Sequence, residues 1–157
     1  MRFPLFIELE GRSVIVIGGG AIGTRRACAM AEYGAEVTVI APEISEPLRE
    51  MAENGQIFWK QKQAEAKDLE GAYLVVTAAD DRDVNHQAVI WCREREIPVN
   101  AADRKEECDF YFPGLARKEE MIVGVCAGGR DHKKAKALTE AVQLLMERNE
   151  INWKKDE

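Results

Sequence analysis

The chain has 157 residues, of which 46% are hydrophobic and 32% are charged, with a formal net charge of -6. These proportions exclude a disordered chain, and the acidic total argues against general nucleic-acid binding. No apolar run approaches the roughly 20 residues of a membrane span. The N-terminal MRFPLFIELEGR does not fit a secretion signal, so we expect a cytoplasmic protein.

Strands and helices are predicted to alternate from residue 13 to residue 102. Unbroken β-branched runs such as SVIVI predict buried strands, and apolar residues at helical spacing predict helices between them. The expected strands are 13–17, 36–41, 57–62, 72–79 and 98–102, with 57–62 at an edge. The expected helices are 21–33, 46–53 with Ser45 as N-cap, and 83–95. This alternation is typical of right-handed βαβ units around a parallel sheet.

A different pattern begins after Asp103. Residues 110–116 and 121–126 are predicted as two strands of a hairpin joined by 117–120, and 132–148 as a long amphipathic helix. Its broad apolar face suits contact with a second subunit. We therefore predict an α/β chain with a Rossmann-type dinucleotide-binding domain over 1–105 and a hairpin-helix dimerisation segment over 106–157. The last seven residues, INWKKDE, are expected to be a loose end.

The run Gly18-Gly19-Gly20-Ala21-Ile22-Gly23 fits the pattern G-x-G-x-x-G between a predicted buried strand and a predicted helix. In that context Gly18 allows the tight turn, Gly20 lets the backbone approach a pyrophosphate, and Gly23 lets helix and strand pack closely. The alternative is a glycine-rich turn that binds nothing. The context favours a dinucleotide site.

The end of the second strand bears on the choice between NAD and NADP. The usual ribose-binding carboxylate is replaced by Ala41, followed by Pro42 and Glu43, and Glu43 could reach the ribose. No Arg or Lys stands at positions 41–44 to hold a 2′-phosphate, so the sequence favours NAD. Arg26, on the first helix, has two open interpretations, a phosphate contact or a solvated helix face.

Polar groups also follow the later strands at the carboxyl edge of the sheet, where open α/β folds bind ligands. The small residues after Thr77 leave room for a nicotinamide ring. From the sequence alone Asp80 and Asp81 could both cap the next helix, and for Asp81 the cap is the expected role. Asp103 follows the fifth strand. A dehydrogenase needs a base for the proton because its cofactor takes only the hydride, and Asp103 is the best candidate. A simple loop cap is the alternative role.

Basic residues gather near the C-terminus, against the acidic total. Such a cluster suits a polyanionic substrate, although a solvated helix face explains it equally well. Its members are Arg117, Lys118, Arg130, Lys133, Lys134 and Lys136. Gly128 and Gly129, just before the last helix, could form a second anion-binding turn. The cysteines and histidines match no zinc-site spacing, so no metal ligands are predicted.

From Phe3 to about Leu145 the sequence resembles the N-terminal module of siroheme synthase, the family of precorrin-2 dehydrogenase/sirohydrochlorin ferrochelatase. The matching motifs, in order, are PLFIELEGRSVIVIGGGAIGTRRA, GAEVTVIAPE, VVTAADDRDVN, VNAAD and FYFPGLARKEEMIVGVCAGG. In this family NAD⁺ takes a hydride from precorrin-2 to give sirohydrochlorin, and some members then insert Fe²⁺. We expect a short form of this family, without a methyltransferase module.

The resemblance implies roles for individual residues. Asp103 matches the active-site aspartate, while Ala21, Ile22, Pro42 and Glu43 match nucleotide contacts. The resemblance also implies that Thr77, Ala79 and Asp80 lie beside the nicotinamide ring. Residues expected on the substrate side are Asn100, Arg117, Gly128, Gly129, Arg130 and Lys133. The hairpin and last helix match a dimerisation segment, which implies a homodimer.

Metal insertion is a separate question. Fe²⁺ or Co²⁺ would be a substrate of chelation, but Ala127 stands where the family usually has serine, so dehydrogenation is the expected step. Two alternatives stay open on the sequence. One is a non-catalytic NAD(H)-binding regulatory domain, and the other is a partial enzyme that needs a partner subunit.

Overall fold

The computed structural model describes residues 3–129 and 131–148. The chain forms two compact units, one from Phe6 to Phe110 and another from Tyr111 onwards that also includes the N-terminal residues up to Leu5. The division therefore falls after residue 110, whereas the sequence suggested residue 105. Asp109 explains the difference, since its N–H donates to the Val99 carbonyl at 2.8 Å and its carboxylate accepts from the Val99 N–H at 3.0 Å.

The first unit is built on a five-stranded parallel sheet with the order β3-β2-β1-β4-β5. The strands are β1 (Ser13–Ile17), β2 (Glu36–Ile40), β3 (Phe58–Lys60), β4 (Leu74–Thr77) and β5 (Val99–Ala101). In the centre Val16 pairs with Val39 on one side and Val76 on the other. All three are completely buried, as the β-branched runs predicted.

The helices of this unit are α1 (Ala21–Glu32), α2 (Glu46–Glu53) and α3 (Arg82–Glu94). On the face covered by α3, Leu69, Ala88, Val89 and Cys92 pack against apolar side chains of the sheet. This succession confirms the predicted Rossmann-type fold, with each α-helix within two residues of its expected bounds. Ser45 is the N-cap of α2, but its side chain makes no cap bond, because its hydroxyl lies 2.7 Å from the Thr24 hydroxyl.

Two expected strands of the first unit need correction, and two short elements were missed. The edge strand is shorter than 57–62, and β4 is shorter than 72–79 because the chain leaves the sheet at Ala78. Two single turns of 3-10 helix, Ala66–Leu69 and Lys105–Glu107, were not predicted, since segments of three or four residues carry no periodic signal.

The second unit contains an antiparallel hairpin of β6 (Gly114–Lys118) and β7 (Met121–Val125), followed by α4 (His132–Glu147). The turn is tighter than the expected 117–120, because β6 continues to Lys118 and Glu119 takes a positive φ of 53°. α4 packs on both strands. Ala116 and Met146 are buried in this unit, whereas three leucines of α4 remain exposed.

No helix among residues 3–129 and 131–148 is both long and apolar enough to cross a membrane.

Candidate functional site

In the glycine turn after β1, Gly19 admits no side chain, and neither do the motif positions Gly18 and Gly23. Gly18 has a φ of +110°, and a Cβ there would overlap the Ala78 carbonyl oxygen. A Cβ on Gly23 would overlap the Gly18 carbonyl oxygen, because α1 lies close to the end of β1. These two glycines lie beneath the site and shape it, as the motif predicts.

Gly20 is different, because a Cβ there would meet open space. Its nearest atom would be Oδ1 of Asp80, 4.0 Å away. Gly20 is also the N-cap of α1, whose first turn has no acidic residue and no side-chain cap bond in the described structure. The open N–H groups of α1 and the space in front of Gly20 therefore fit the pyrophosphate of a dinucleotide.

Hydrogen bonds hold this turn in place. The Gly18 N–H donates to the Ile40 carbonyl at 3.0 Å, and the Ser45 N–H donates to the Gly19 carbonyl at 2.9 Å. The Thr24 hydroxyl donates to the Gly20 carbonyl at 2.8 Å. The turn is thus tied to the end of β2 and to the start of α2, which makes it a preformed anion site.

A cleft of about 260 Å³ lies in front of the turn, at the carboxyl edge of the sheet. It is lined by Gly20, Ala21, Ile22, Ala78, Ala79, Asp80, Asn85, Ala102 and Asp103. Six of these residues were predicted as site residues: Gly20, Ala21, Ile22, Ala79, Asp80 and Asp103. Small side chains just after β4 and β5 keep the cleft open, and the carboxylates of Asp80 and Asp103 line it.

Other predicted residues lie outside the cleft lining. Thr77 is completely buried, and its hydroxyl has no hydrogen-bond partner among the described residues. Pro42 and Glu43 are exposed beyond the turn, where a Cβ on Gly19 would overlap the Glu43 carbonyl. Asn100 is buried, and its Nδ2 donates to the Phe110 carbonyl at 2.8 Å.

Asn85 is the polar cleft residue that the sequence analysis missed, alongside the alanines Ala78 and Ala102. Its side-chain oxygen accepts from the Ala79 N–H and its Nδ2 donates to the Ala79 carbonyl, both at 2.9 Å. The side chain is 1% exposed. The sequence did carry a signal, since Asn85 shares a helical face with Ala88, Val89 and Cys92, where a polar residue is unusual. Asp81 caps α3 as predicted, accepting from the Asp83 N–H at 2.8 Å.

Asp103 follows β5, and its side chain is about a third exposed. Its Oδ2 accepts a hydrogen bond from Nη1 of Arg82 at 3.4 Å. Nη2 of the same guanidinium donates to Oε1 of Glu107, which raises the pKa of Arg82 above its usual value. The same bond lowers the pKa of Glu107, whose Oε1 also lies 3.0 Å from Nδ1 of His86.

Arg26 does not lie on a solvated helix face. The residue is half-buried, and this burial lowers the pKa of Arg26 to about 10, with the neighbouring charge of Arg25 acting in the same direction. A contact of Arg26 with phosphate remains a prediction.

The basic residues of the second unit are spread along α4. Nζ of Lys118 donates to the Met146 carbonyl at 2.6 Å, near the C-terminal end of this helix, while Lys133 is in its first turn. At about 1.5 Å per residue these two ends are roughly 20 Å apart. Arg117 pairs through its backbone with Gln143. Arg130 lies outside the described residues.

The glycine pair before α4 does form a turn. Gly128 and Gly129 both have positive φ, at 64° and 71°. The first turn of α4 is capped by Asp131, whose carboxylate accepts from the Lys134 N–H at 2.9 Å. Because the Asp131 carboxylate already occupies this helix end with a negative charge, binding of another anion to the same N–H groups is disfavoured.

A parallel sheet with a glycine turn at its first strand end and an open cleft beside it defines a dinucleotide-binding domain. A family model described as "Putative NAD(P)-binding" matches residues 5–114. The chain therefore belongs to this family, as a relative of the N-terminal module of siroheme synthases that its motifs resemble.

Three similar proteins support this assignment. The "Probable multifunctional siroheme biosynthesis protein HemA" of Ruminiclostridium josui is 36% identical over 92% of this chain and 28% of its own length. A siroheme synthase of Photorhabdus laumondii is 33% identical over 91% of this chain and 30% of its own. The structure titled "SirC, precorrin-2 dehydrogenase" is 25% identical, with a TM-score of 0.77, over 95% of this chain and 76% of that one. The chain spans less than a third of the two curated relatives.

Proposed function

We propose that the protein is an NAD-dependent dehydrogenase that oxidises precorrin-2 to sirohydrochlorin in siroheme or related tetrapyrrole biosynthesis. The observation that carries the proposal is the cleft itself, where the glycine turn and the Asp103 carboxylate line one space of about 260 Å³. The similar structure titled precorrin-2 dehydrogenase supports this step, and the name of the Ruminiclostridium josui protein supports the siroheme pathway.

The residues proposed to bind the cofactor divide into two groups, one for the pyrophosphate and ribose and one for the nicotinamide ring. Gly20, Ala21 and the N–H groups of α1 bind the pyrophosphate, and Glu43 binds the ribose beyond the turn. The small side chains of Ala78, Ala79 and Ala102 leave room for a nicotinamide ring beside Asp80. When bound, NAD⁺ supplies the hydride acceptor. Positions 41–44, near the expected ribose site, contain no Arg or Lys that could bind the 2′-phosphate of NADP, and this favours NAD.

Asp103 carries the proton. Oxidation of the substrate removes a hydride and a proton, and only the hydride leaves with the cofactor. Oδ2 of Asp103 is held by Arg82, whereas Oδ1 is available to accept the proton from the tetrapyrrole. Arg117, Arg130 and Lys133 are the proposed contacts to its carboxylates, whereas Gly128 and Gly129 are no longer proposed as an anion-binding turn because Asp131 caps the same helix end.

The test is anaerobic incubation of the protein with NAD⁺ and precorrin-2, following NADH and sirohydrochlorin together. We expect both to appear in equal amounts. The Asp103→Asn variant should lose roughly 100-fold or more in kcat without losing NAD⁺ binding, because only proton transfer is impaired. Asp83→Asn, an exposed carboxylate in the first turn of α3, is the matched control and should keep its activity.

Two results would contradict the proposal. Tight NADH binding without any change in the tetrapyrrole would identify a non-catalytic binding domain. Full turnover by Asp103→Asn would show that Asp103 is not the base that accepts the proton.

We also propose that the second unit forms a homodimer. Leu138, Leu144 and Leu145 of α4 are 54%, 49% and 44% exposed, and Leu115 and Val123 of the hairpin are exposed too. Leu138 and Leu145 lie two turns apart on the same face of α4, and exposed apolar side chains that share a face mark an interaction surface. A second copy of the chain would cover them.

A further inference from the structure

Four side chains from three elements converge beside the cleft. Arg82 and His86 lie on the first turns of α3, Asp103 follows β5, and Glu107 belongs to the 3-10 turn Lys105–Glu107. All four belong to the first compact unit. The contact between Arg82 and Asp103 connects this group with the residue to which the proposed function assigns proton removal.

Arg82 has a fixed orientation in this group. Nη2 donates to Oε1 of Glu107, whose side chain is only 21% exposed, and the same Oε1 contacts His86. A guanidinium is a planar fork, so fixing one nitrogen also fixes the direction of the other. Nη1 is thereby directed at Oδ2 of Asp103, at 3.4 Å. The raised pKa of Arg82 and the lowered pKa of Glu107 agree with this pairing.

The Asp103 carboxylate needs such a restraint. The backbone around it is anchored, with the Ala102 N–H donating to the Thr77 carbonyl at 2.9 Å. The side chain itself can rotate about two torsions and is about a third exposed. In the part of the chain that the structure describes, Arg82 is the one charged group paired with it.

We propose that Arg82 is the positioning residue of the Asp103 carboxylate, and that Glu107 holds Arg82 in place. This role rests on the proposed dehydrogenase function. Arg82 binds Oδ2 and so turns Oδ1 towards the cleft, ready to accept the proton. A role in binding a substrate carboxylate is disfavoured, because both terminal nitrogens of Arg82 already contact carboxylates of this chain.

The experiment is a double-mutant cycle on kcat in the anaerobic assay, with Arg82→Gln, Glu107→Gln and Asp103→Asn alone and in pairs. Arg82→Gln should lower kcat roughly 10- to 100-fold, since small misplacements of a reacting group have effects of this size. The KM for precorrin-2 and the Kd for NAD⁺ should stay within about twofold. Arg82→Lys, which can reach one carboxylate but not two, should recover part of the loss.

The cycle also tests whether Arg82 acts through Asp103. In the Asp103→Asn background, Arg82→Gln should cause no further loss, because the group that it positions is gone. Glu107→Gln should show the same dependence with a smaller loss. Arg95→Gln is the matched control, since Arg95 ends the same helix and pairs with Glu94 and the Trp91 carbonyl.

Two outcomes of the cycle overturn the proposal. One is an equal loss from Arg82→Gln with and without Asp103, and the other is a raised KM for precorrin-2 at unchanged kcat. If the wild-type protein has no dehydrogenase activity, the proposed function fails, and crystal structures of wild type and Arg82→Gln decide the positioning role. Displacement or disorder of the Asp103 carboxylate in the variant supports it, and an unchanged rotamer overturns it.

Discussion

Gly20 and Gly23 belong to one motif, yet the reason for having no side chain differs between the two positions. At Gly23 the requirement lies inside the protein, since a methyl group would overlap the Gly18 carbonyl oxygen. At Gly20 the protein leaves open space, with Oδ1 of Asp80 as the nearest atom at 4.0 Å. Nothing within the protein therefore requires glycine at position 20, and the proposed requirement is the close approach of the pyrophosphate.

The difference predicts that adding one methyl group affects cofactor binding at position 20 and stability at position 23. Gly20→Ala should keep the unfolding midpoint of the wild type but raise the Kd for NAD⁺ about tenfold or more, because the methyl group occupies the pyrophosphate space. Gly23→Ala should lower the midpoint itself, as overpacking costs about 1–3 kcal/mol. Thermal unfolding and NAD⁺ titration calorimetry measure the two effects.

Gly124→Ala is the matched control for both variants. Gly124 lies in β7, where a Cβ would make only ordinary contacts with Pro113. We expect neither the midpoint nor the Kd to change. If Gly20→Ala bound NAD⁺ as tightly as the wild type, the pyrophosphate would not bind at this turn and the prediction would be wrong.

At the scale of elements, the loop between β4 and α3 depends on one buried amide. Asn85 binds both the N–H and the carbonyl of Ala79, and it does so from within the apolar face of α3. The clamp sets where β4 ends and where Asp80 enters the cleft. A helix that covers the sheet thus also shapes the binding site.

Removal of this clamp should affect stability and cofactor binding together. Asn85→Ala leaves the N–H and the carbonyl of the half-buried Ala79 without this partner; at about 1–2 kcal/mol each, we expect a loss of roughly 2–4 kcal/mol in the free energy of unfolding. NAD⁺ binding should weaken as the loop moves. Urea denaturation and titration of the folded variant test both effects.

Gln87→Ala provides the control on the same helix, because Gln87 is exposed. It should stay within about 0.5 kcal/mol of the wild type. An Asn85→Ala variant as stable as this control would show that the clamp does not hold the loop.

At the scale of the whole molecule, the exposed leucines of α4 predict association of two chains. Leu138→Glu combined with Leu145→Glu should convert a dimer into a monomer, since charges on a buried apolar interface are strongly unfavourable. Ile90→Glu, a substitution at an exposed position of α3, should leave the association unchanged. Sedimentation velocity distinguishes the two species. A wild-type chain that is monomeric at micromolar concentrations would contradict the prediction.

Much of the architecture could be predicted because its signals are local. The β-branched run 13–17 and the glycine that follows it are read directly from neighbouring residues, and β1 has the predicted bounds. The glycine turn was placed correctly for the same reason. The short 3-10 turn that carries Glu107 escaped prediction, since three residues show no period.

The sequence by itself determined the order of strands and helices, the Rossmann-type fold and the glycine turn, because each depends on residues close together in the chain. Tertiary structure alone decided which distant side chains meet: Asn85 with Ala79 across the end of a strand, and Arg82 with Asp103 and Glu107 across three elements. It also showed that Lys118 and Lys133 lie near opposite ends of α4. The physical reason is that a side-chain contact depends on how elements cross in space, whereas hydrophobic periodicity records only which face of each element is buried.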